Sequence, residues 1–202
     1  MRGGKARLLR GLVIALAVAL SSARPASAHP HVFIDSRVTF VISHGKIVGF
    51  RESWQFDQVF SDQLLQQFDE DQDGKLSPAE SEKVAAGTLP NLARFRYFTY
   101  VWIDGKDLGR LEPSDFHASA TNRRVTFDFI VKLPRPVDPL KQELALEIND
   151  REYYVEVLLA QRDPVTFQGL AGLACEPSVT KDIKNAYYGG YVYPQQIKLK
   201  RR

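Results

Sequence analysis

Apolar and polar residues alternate with a period of two along most of this chain, and one stretch breaks that rhythm with a helical period. Residues 32–42 (VFIDSRVTFVI) and 47–56 (IVGFRESWQF) are rich in β-branched and aromatic side chains and flank the turn 43–46, so they predict a hairpin with His44 at its solvated tip. The pattern returns at 96–103, 114–120, 124–133, 143–149 and 153–160. Asp104-Gly105 signals a tight hairpin with 106–111 as its returning strand, and Thr121-Asn122 and Asp150-Arg151 mark further turns. The run 134–139 (PRPVDP) reads as a rigid proline linker. A last short strand is expected near Thr166 or beyond Cys175. The tail 181–202 is rich in tyrosine, ends in Lys198, Lys200, Arg201 and Arg202, and reads as a final strand with a solvated basic end.

The interruption falls at about 57–87. Phe60, Leu64, Leu65 and Phe68 recur at helical spacing, with Asp57 placed to cap the helix 57–68. A second helix opens at Pro78 and is expected to close at Gly87, with another helical stretch at 89–95. Between the helices, residues 69–80 match the pattern D-x-[DN]-x-[DN]-G-x5-E. Ca²⁺ takes about six to eight oxygen ligands, and a twelve-residue loop wraps them around one point. Asp69, Asp71 and Asp73 offer carboxylates, Lys75 its carbonyl, Ser77 an oxygen or a bridging water, and Glu80 both carboxylate oxygens. Gly74 takes the sharp turn, where a Cβ is expected to clash. Leu76 fills the apolar position of the loop. No second such loop accompanies it, which favours a structural or weakly regulatory site over a paired switch.

Many short strands with one helical insertion predict an α+β, mainly β class: a β-sandwich-like domain over 29–202 carrying an inserted helix, EF-hand loop and helix.

Composition changes the picture at the amino terminus. Arg2, Lys5, Arg7 and Arg10 precede a short apolar run, 11–20, and Ala26-Ser27-Ala28 is a small-residue cleavage signal, so 1–28 reads as a signal peptide of a periplasmic protein. The formal charge is +3, but this segment holds five basic residues (Arg24 with the four above) and no acidic one, leaving about −2 for 29–202. Nucleic acid as a partner therefore loses its electrostatic support. Cys175 is the only cysteine, so an internal disulfide is excluded and it reads as a small buried hydrophobe or an unpaired thiol.

Cleavage after Ala28 exposes His29-Pro30-His31. The terminal amine and two imidazoles suit Ni²⁺, Co²⁺, Zn²⁺ or Cu²⁺ rather than Ca²⁺. Pro30 lacks the N–H that a square-planar amino-terminal copper or nickel site deprotonates. Asp35 shares their strand face, and His117 is the one histidine that could join a transition-metal site from within the fold. No G-x-S-x-G, H-E-x-x-H, Walker or Rossmann pattern occurs, so nothing argues for an enzyme.

The opening HPHVFID, the stretch Trp54-Gln55-Phe56-Asp57, the acidic loop and Asp163-Pro164-Val165 together resemble the exported bacterial proteins of domain-of-unknown-function family 1007. That resemblance covers about residues 29–175 and implies a periplasmic component of an ABC-type transport system, partnered with a membrane permease for nickel, cobalt or zinc. Two rival readings stand beside it: a calcium-stabilised interaction module without a transition-metal role, and a copper enzyme built on an amino-terminal histidine with His117 as third nitrogen ligand.

Overall fold

The computed structural model describes residues 30–169 and 175–201. The expected signal peptide, its cleavage site and His29 lie outside the described residues. No helix among the described residues is long and apolar enough to cross a membrane.

The first hairpin forms as its alternation predicts. Strands β1 (Val32–Ser43) and β2 (Lys46–Phe56) pair antiparallel from Ile34 opposite Phe56 to Ser43 opposite Lys46. His44 and Gly45 both take positive φ, the mirror-type turn that matches strand twist. Strands β3 (Thr99–Ile103), β4 (Lys106–Asp107), β5 (Pro113–Thr121), β6 (Arg124–Val137), β7 (Leu144–Ile148), β8 (Val155–Leu159), β9 (Val165–Gln168), β10 (Cys175–Lys181) and β11 (Gln195–Arg201) follow. They sort into two sheets. One has the order β5-β6-β2-β1-β8, with β9 continuing beside β1; the other has the order β10-β11-β7-β3-β4. One hydrophobic cluster draws on both, from Phe40, Phe50 and Trp54 of the first to Val101, Leu146 and Ile197 of the second. The domain is α+β, mainly β, and sandwich-like.

Several expected boundaries move, each for a physical reason. The stretch 134–137 is the end of β6 rather than a linker. It lies beyond Val131, where β5 begins its pairing, and on the β2 side its prolines fall in the irregularity between the Gly49–Lys132 and Ile47–Val137 pairs, where the ladder is interrupted. The returning strand after Asp104-Gly105 is only Lys106–Asp107. Asp107 is drawn aside, accepting two bonds from the Arg96 guanidinium (2.9 and 2.6 Å) and one from the Gly109 amide (2.8 Å). The tail forms the expected final strand, but as an inner one: β11 lies between β10 and β7, with Ile197 and Leu199 buried. Cys175 is buried, as a small hydrophobe.

The strand expected from Arg96 starts at Thr99 because Arg96, Tyr97 and Phe98 all take left-handed φ (57°, 52° and 52°). Such a conformation costs a non-glycine residue roughly 1–2 kcal/mol. The Arg96–Asp107 fork and a bond from the Tyr97 hydroxyl to Glu112 (2.5 Å) hold it. The turn delivers Phe98 onto Trp54, ring centroids 5.8 Å apart, and Thr99 onto Glu52 of the opposite sheet.

Candidate metal centre

Helix α1 (Gln58–Phe68) begins where Asp57 ends the alternation of β2. Asp57 does two jobs. One carboxylate oxygen accepts the Phe60 amide (2.9 Å), capping the helix, and the other accepts the Phe33 amide of β1 (2.8 Å). The opening HPHVFID and the WQFD stretch are thereby tied to each other. Leu64, Leu65 and Phe68 are buried at the helical spacing read from the sequence.

Helix α2 (Pro78–Leu92) starts with a full capping box: Ser77 Oγ accepts the Glu80 amide, and the Glu80 carboxylate accepts the Ser77 amide (2.8 Å). It does not stop at Gly87 but runs on through Pro90. A Cβ on Gly87 would meet the Phe68 ring at 3.2 Å, so the glycine serves the packing of α1 on α2 rather than a helix end. Pro90 lies inside the last turn, where it removes the one i→i−4 donor that would reach the Ala86 carbonyl.

Both helices are fixed to the first sheet. Ser61 Oγ of α1 accepts the Val125 amide of β6 (3.0 Å), and Ser81 Oγ of α2 accepts the Ala118 amide of β5 (2.8 Å). The second bond covers the outer edge of the sheet.

Between the helices the loop folds around its own carboxylates. Asp69 accepts the amides of Asp73 (3.2 Å) and Gly74 (2.9 Å). Asp71 accepts that of Asp73 (3.2 Å), and Asp73 that of Lys75 (2.8 Å). The chain turns through Gln72 at φ 59° and Gly74 at φ 79°. The expected clash at Gly74 is absent, since a Cβ there would have nothing within 4 Å; the positive φ alone selects glycine. Leu76 is buried in the core and anchors the loop.

One oxygen from each of Asp69, Asp71 and Asp73 lies within 4.8 Å of the others. Oxygens that ligate one ion at about 2.4 Å span at most about twice that distance, so this cluster is of a size to hold a metal ion. Glu80 does not join the cluster. It is buried, and its other oxygen accepts the Glu70 amide (2.7 Å), so it closes the loop end to end. The Ser77 amide, the Ser77 hydroxyl and the Glu70 amide hold its carboxyl below the usual range. Ser77 and Glu80 thus meet each other, and the Lys75 amide meets Asp73.

Among the described residues, His31 and His117 are not brought together. His31 is exposed at the start of β1, its ring 4.9 Å from that of Tyr154, and Asp35 is exposed further along the same strand. His117 is exposed on β5 and registers through Asp128 and Ser53 with Arg37 of β1. Three strand spacings separate it from β1, roughly 14 Å, and the six residues from Arg37 to His31 add roughly 20 Å along the strand. His117 therefore cannot complete a site at His31, a correction to the sequence expectation.

A buried carboxylate went unnoticed in the sequence. Glu52 is fully buried, accepts the Trp54 indole N–H (2.9 Å), and meets Thr99 Oγ1 (2.9 Å). Burial pushes its carboxyl up to about 8. The signal was available: Glu52 shares the inward parity of Phe50, Trp54 and Phe56.

The sequence profile of the family described as a protein of unknown function (DUF1007) matches residues 13–193. An uncharacterised protein of Haemophilus influenzae is 27% identical over 183 residues, which cover 88% of this chain and 83% of its own length. An uncharacterised 15.5 kDa protein in the trpE 3′ region of Spirochaeta aurantia is 30% identical over 127 residues, 60% of this chain and 86% of its own.

Proposed function

We propose that this chain, which belongs to the DUF1007 family, is an exported metal-binding accessory protein that holds Ca²⁺ in the loop 69–80 and a transition metal at its mature amino terminus for a membrane permease. The observation that carries the reading is the cluster of Asp69, Asp71 and Asp73 oxygens within 4.8 Å. Hard carboxylate oxygens select Ca²⁺ over metals that prefer nitrogen or sulfur. The loop pattern also offers the Lys75 carbonyl, Ser77 and Glu80, and the Glu80 carboxylate has to turn from the Glu70 and Ser77 amides to reach the ion. Outside the cytoplasm an affinity of about 10⁻⁴–10⁻³ M is enough for such a module.

The helices support a brace rather than a switch. Ser61 and Ser81 pin both of them to the sheet, and a hand that opens would have to break those bonds. Ca²⁺ then stiffens the insertion against the first sheet.

The transition-metal part rests on His29 and His31 at the mature terminus, with Ni²⁺, Co²⁺, Zn²⁺ or Cu²⁺ as the ion and a metal permease or ABC-type transporter as the partner. His117 is left out of that site by its distance. Replacing both His29 and His31 by Ala should abolish transition-metal binding and leave Ca²⁺ binding intact. Unchanged transition-metal affinity in that variant would sink the terminal site.

A further inference from the structure

The core does not close where α2 ends against the first sheet. A cavity of about 200 Å³ lies there, walled by five rings: Trp54 and Phe56 of β2, Phe60 of α1, Phe98 of the left-handed turn and Phe127 of β6. Trp54, Phe56, Phe98 and Phe127 are buried and make its floor, while Gly87 and Asn91 of α2 are exposed and mark its mouth. The rings brace one another. Phe56 meets Phe127 edge-on, centroids 4.7 Å apart, and Phe60 at a tilt, 5.1 Å apart; Trp54 stacks on Phe98 at 5.8 Å. None of them can swing into the space without giving up such a contact. Protein interiors hold few voids larger than a water molecule, so an apolar space of this size is unusual for a core left to itself.

The chemistry of the walls selects the occupant. Among the described residues, no charged side chain lines the cavity, so an ionised ligand would enter without a partner. The Trp54 indole N–H is taken by Glu52 (2.9 Å), so the side chains of the floor offer no hydrogen bond. Water needs about two to four polar partners and does not find them on such a floor. An apolar cavity of about 150 Å³ stays dry and takes up a benzene-sized molecule. Drug-sized ligands occupy about 300 Å³ or more, so the space here fits one or two fused rings. The polar side chains of the lining, Thr88 and Asn91, belong to α2 at the mouth. Thr88 Oγ1 gives its only proton to the Val84 carbonyl (2.7 Å) and keeps the capacity to accept.

We propose that this cavity binds a small uncharged aromatic molecule of one or two rings, of the phenol or indole kind. Its ring lies among Trp54, Phe56, Phe60, Phe98 and Phe127, and its single O–H or N–H is turned to the mouth, where Thr88 accepts it. The site is separate from the metal loop and needs no ion.

Calorimetric titration of the purified protein with phenol and with indole tests this, with benzoate as the charged control. The expected result is binding of at least one of the two with Kd below about 1 mM and no heat from benzoate. Val155 of β8 and Leu92 of α2 also line the cavity from half-buried positions. Val155→Phe and Leu92→Phe should each put a ring into the space and weaken binding about tenfold or more. Circular dichroism and thermal melting check that each variant folds, and one folded variant is enough. Thr88→Val keeps the shape and loses the hydroxyl, so it should weaken phenol about threefold and leave toluene, which has no donor, unchanged. Asp69→Ala should bind phenol as the parent does, which separates this proposal from the calcium reading. Silence from both phenol and indole up to about 5 mM, or undiminished affinity in a folded cavity-filling variant, overturns it.

Discussion

Glu52 Oε1 lies 2.9 Å from Thr99 Oγ1, a bond that crosses from one sheet to the other through the core. The Thr99 hydroxyl also lies 2.8 Å from the Tyr97 carbonyl, and it has one proton to give. If that proton goes to Tyr97, Glu52 must supply the next one. A protonated Glu52 donates to Thr99 through Oε1 and accepts the Trp54 indole N–H through Oε2 (2.9 Å), so every group is satisfied. This matches a carboxyl pushed up to about 8 by burial.

Stability should follow that proton. The folded protein holds it up to about pH 8, whereas the unfolded chain releases it near the ordinary carboxylate value of 4.5. The contribution is complete below 4.5 and is lost as pH rises through 8. Urea titrations between those limits should show the unfolding free energy of the parent falling by on the order of a few kcal/mol. Glu52→Gln, which stays neutral, should flatten that slope. An equal slope in both proteins would place the titration elsewhere.

Asp57 joins the helix start to β1 through the Phe60 and Phe33 amides. Asp57→Ala should lower stability by about 1–2 kcal/mol, read as a lower urea midpoint at unchanged slope. Ca²⁺ affinity should be retained, because the carboxylate lies outside the loop. A neutral midpoint would mean that the double bond is decorative.

Gly49 sits where β2 packs against β6, and a Cβ there would come within 2.5 Å of the Val131 carbonyl oxygen. Backbone cannot yield as a side-chain tip can. Gly49→Ala should cost about 1–3 kcal/mol. Thermal melting of Gly49→Ala beside the parent checks this, and an equal melting temperature would contradict the close approach.

Much of this could be read directly from residues. The inward parity of Val32, Ile34, Val38 and Phe40 needed only the period of two, and the acidic loop needed only residue type at fixed spacing. What escaped depends on partners distant in the chain. The prolines after Leu133 are tolerated because β5 pairs only up to Val131 and the ladder to β2 is interrupted between Lys132 and Val137, and Gly87 leaves room for the Phe68 ring. The central place of β11 rests on pairing with β7, about fifty residues earlier, which no local pattern announces. The separation of His117 from His31 likewise follows from strand order alone. Glu52 was legible by parity, but a charged residue on an inward position reads as an exception until its partners are seen.

Calcium should stabilise the fold by mass action. At about a hundred times Kd the gain is about 2.7 kcal/mol, or several degrees in melting temperature for a chain of this length. Asp69→Ala should remove the shift while leaving the calcium-free melting temperature within a few degrees of the parent. A shift that persists in Asp69→Ala would place the ion outside the loop.

Calorimetric titration of the chain beginning at His29, its terminus verified by intact mass, tests the central claim most directly. Ca²⁺ is run against Ni²⁺, Co²⁺, Zn²⁺ and Cu²⁺ on the parent, on Asp69→Ala, and on the variant with both His29 and His31 replaced by Ala. The account predicts two independent sites: one for Ca²⁺ that only Asp69→Ala removes, and one for a nitrogen-preferring metal that only the histidine variant removes. No Ca²⁺ binding at millimolar concentration, or a transition metal that competes with Ca²⁺ for the same aspartates, would contradict it.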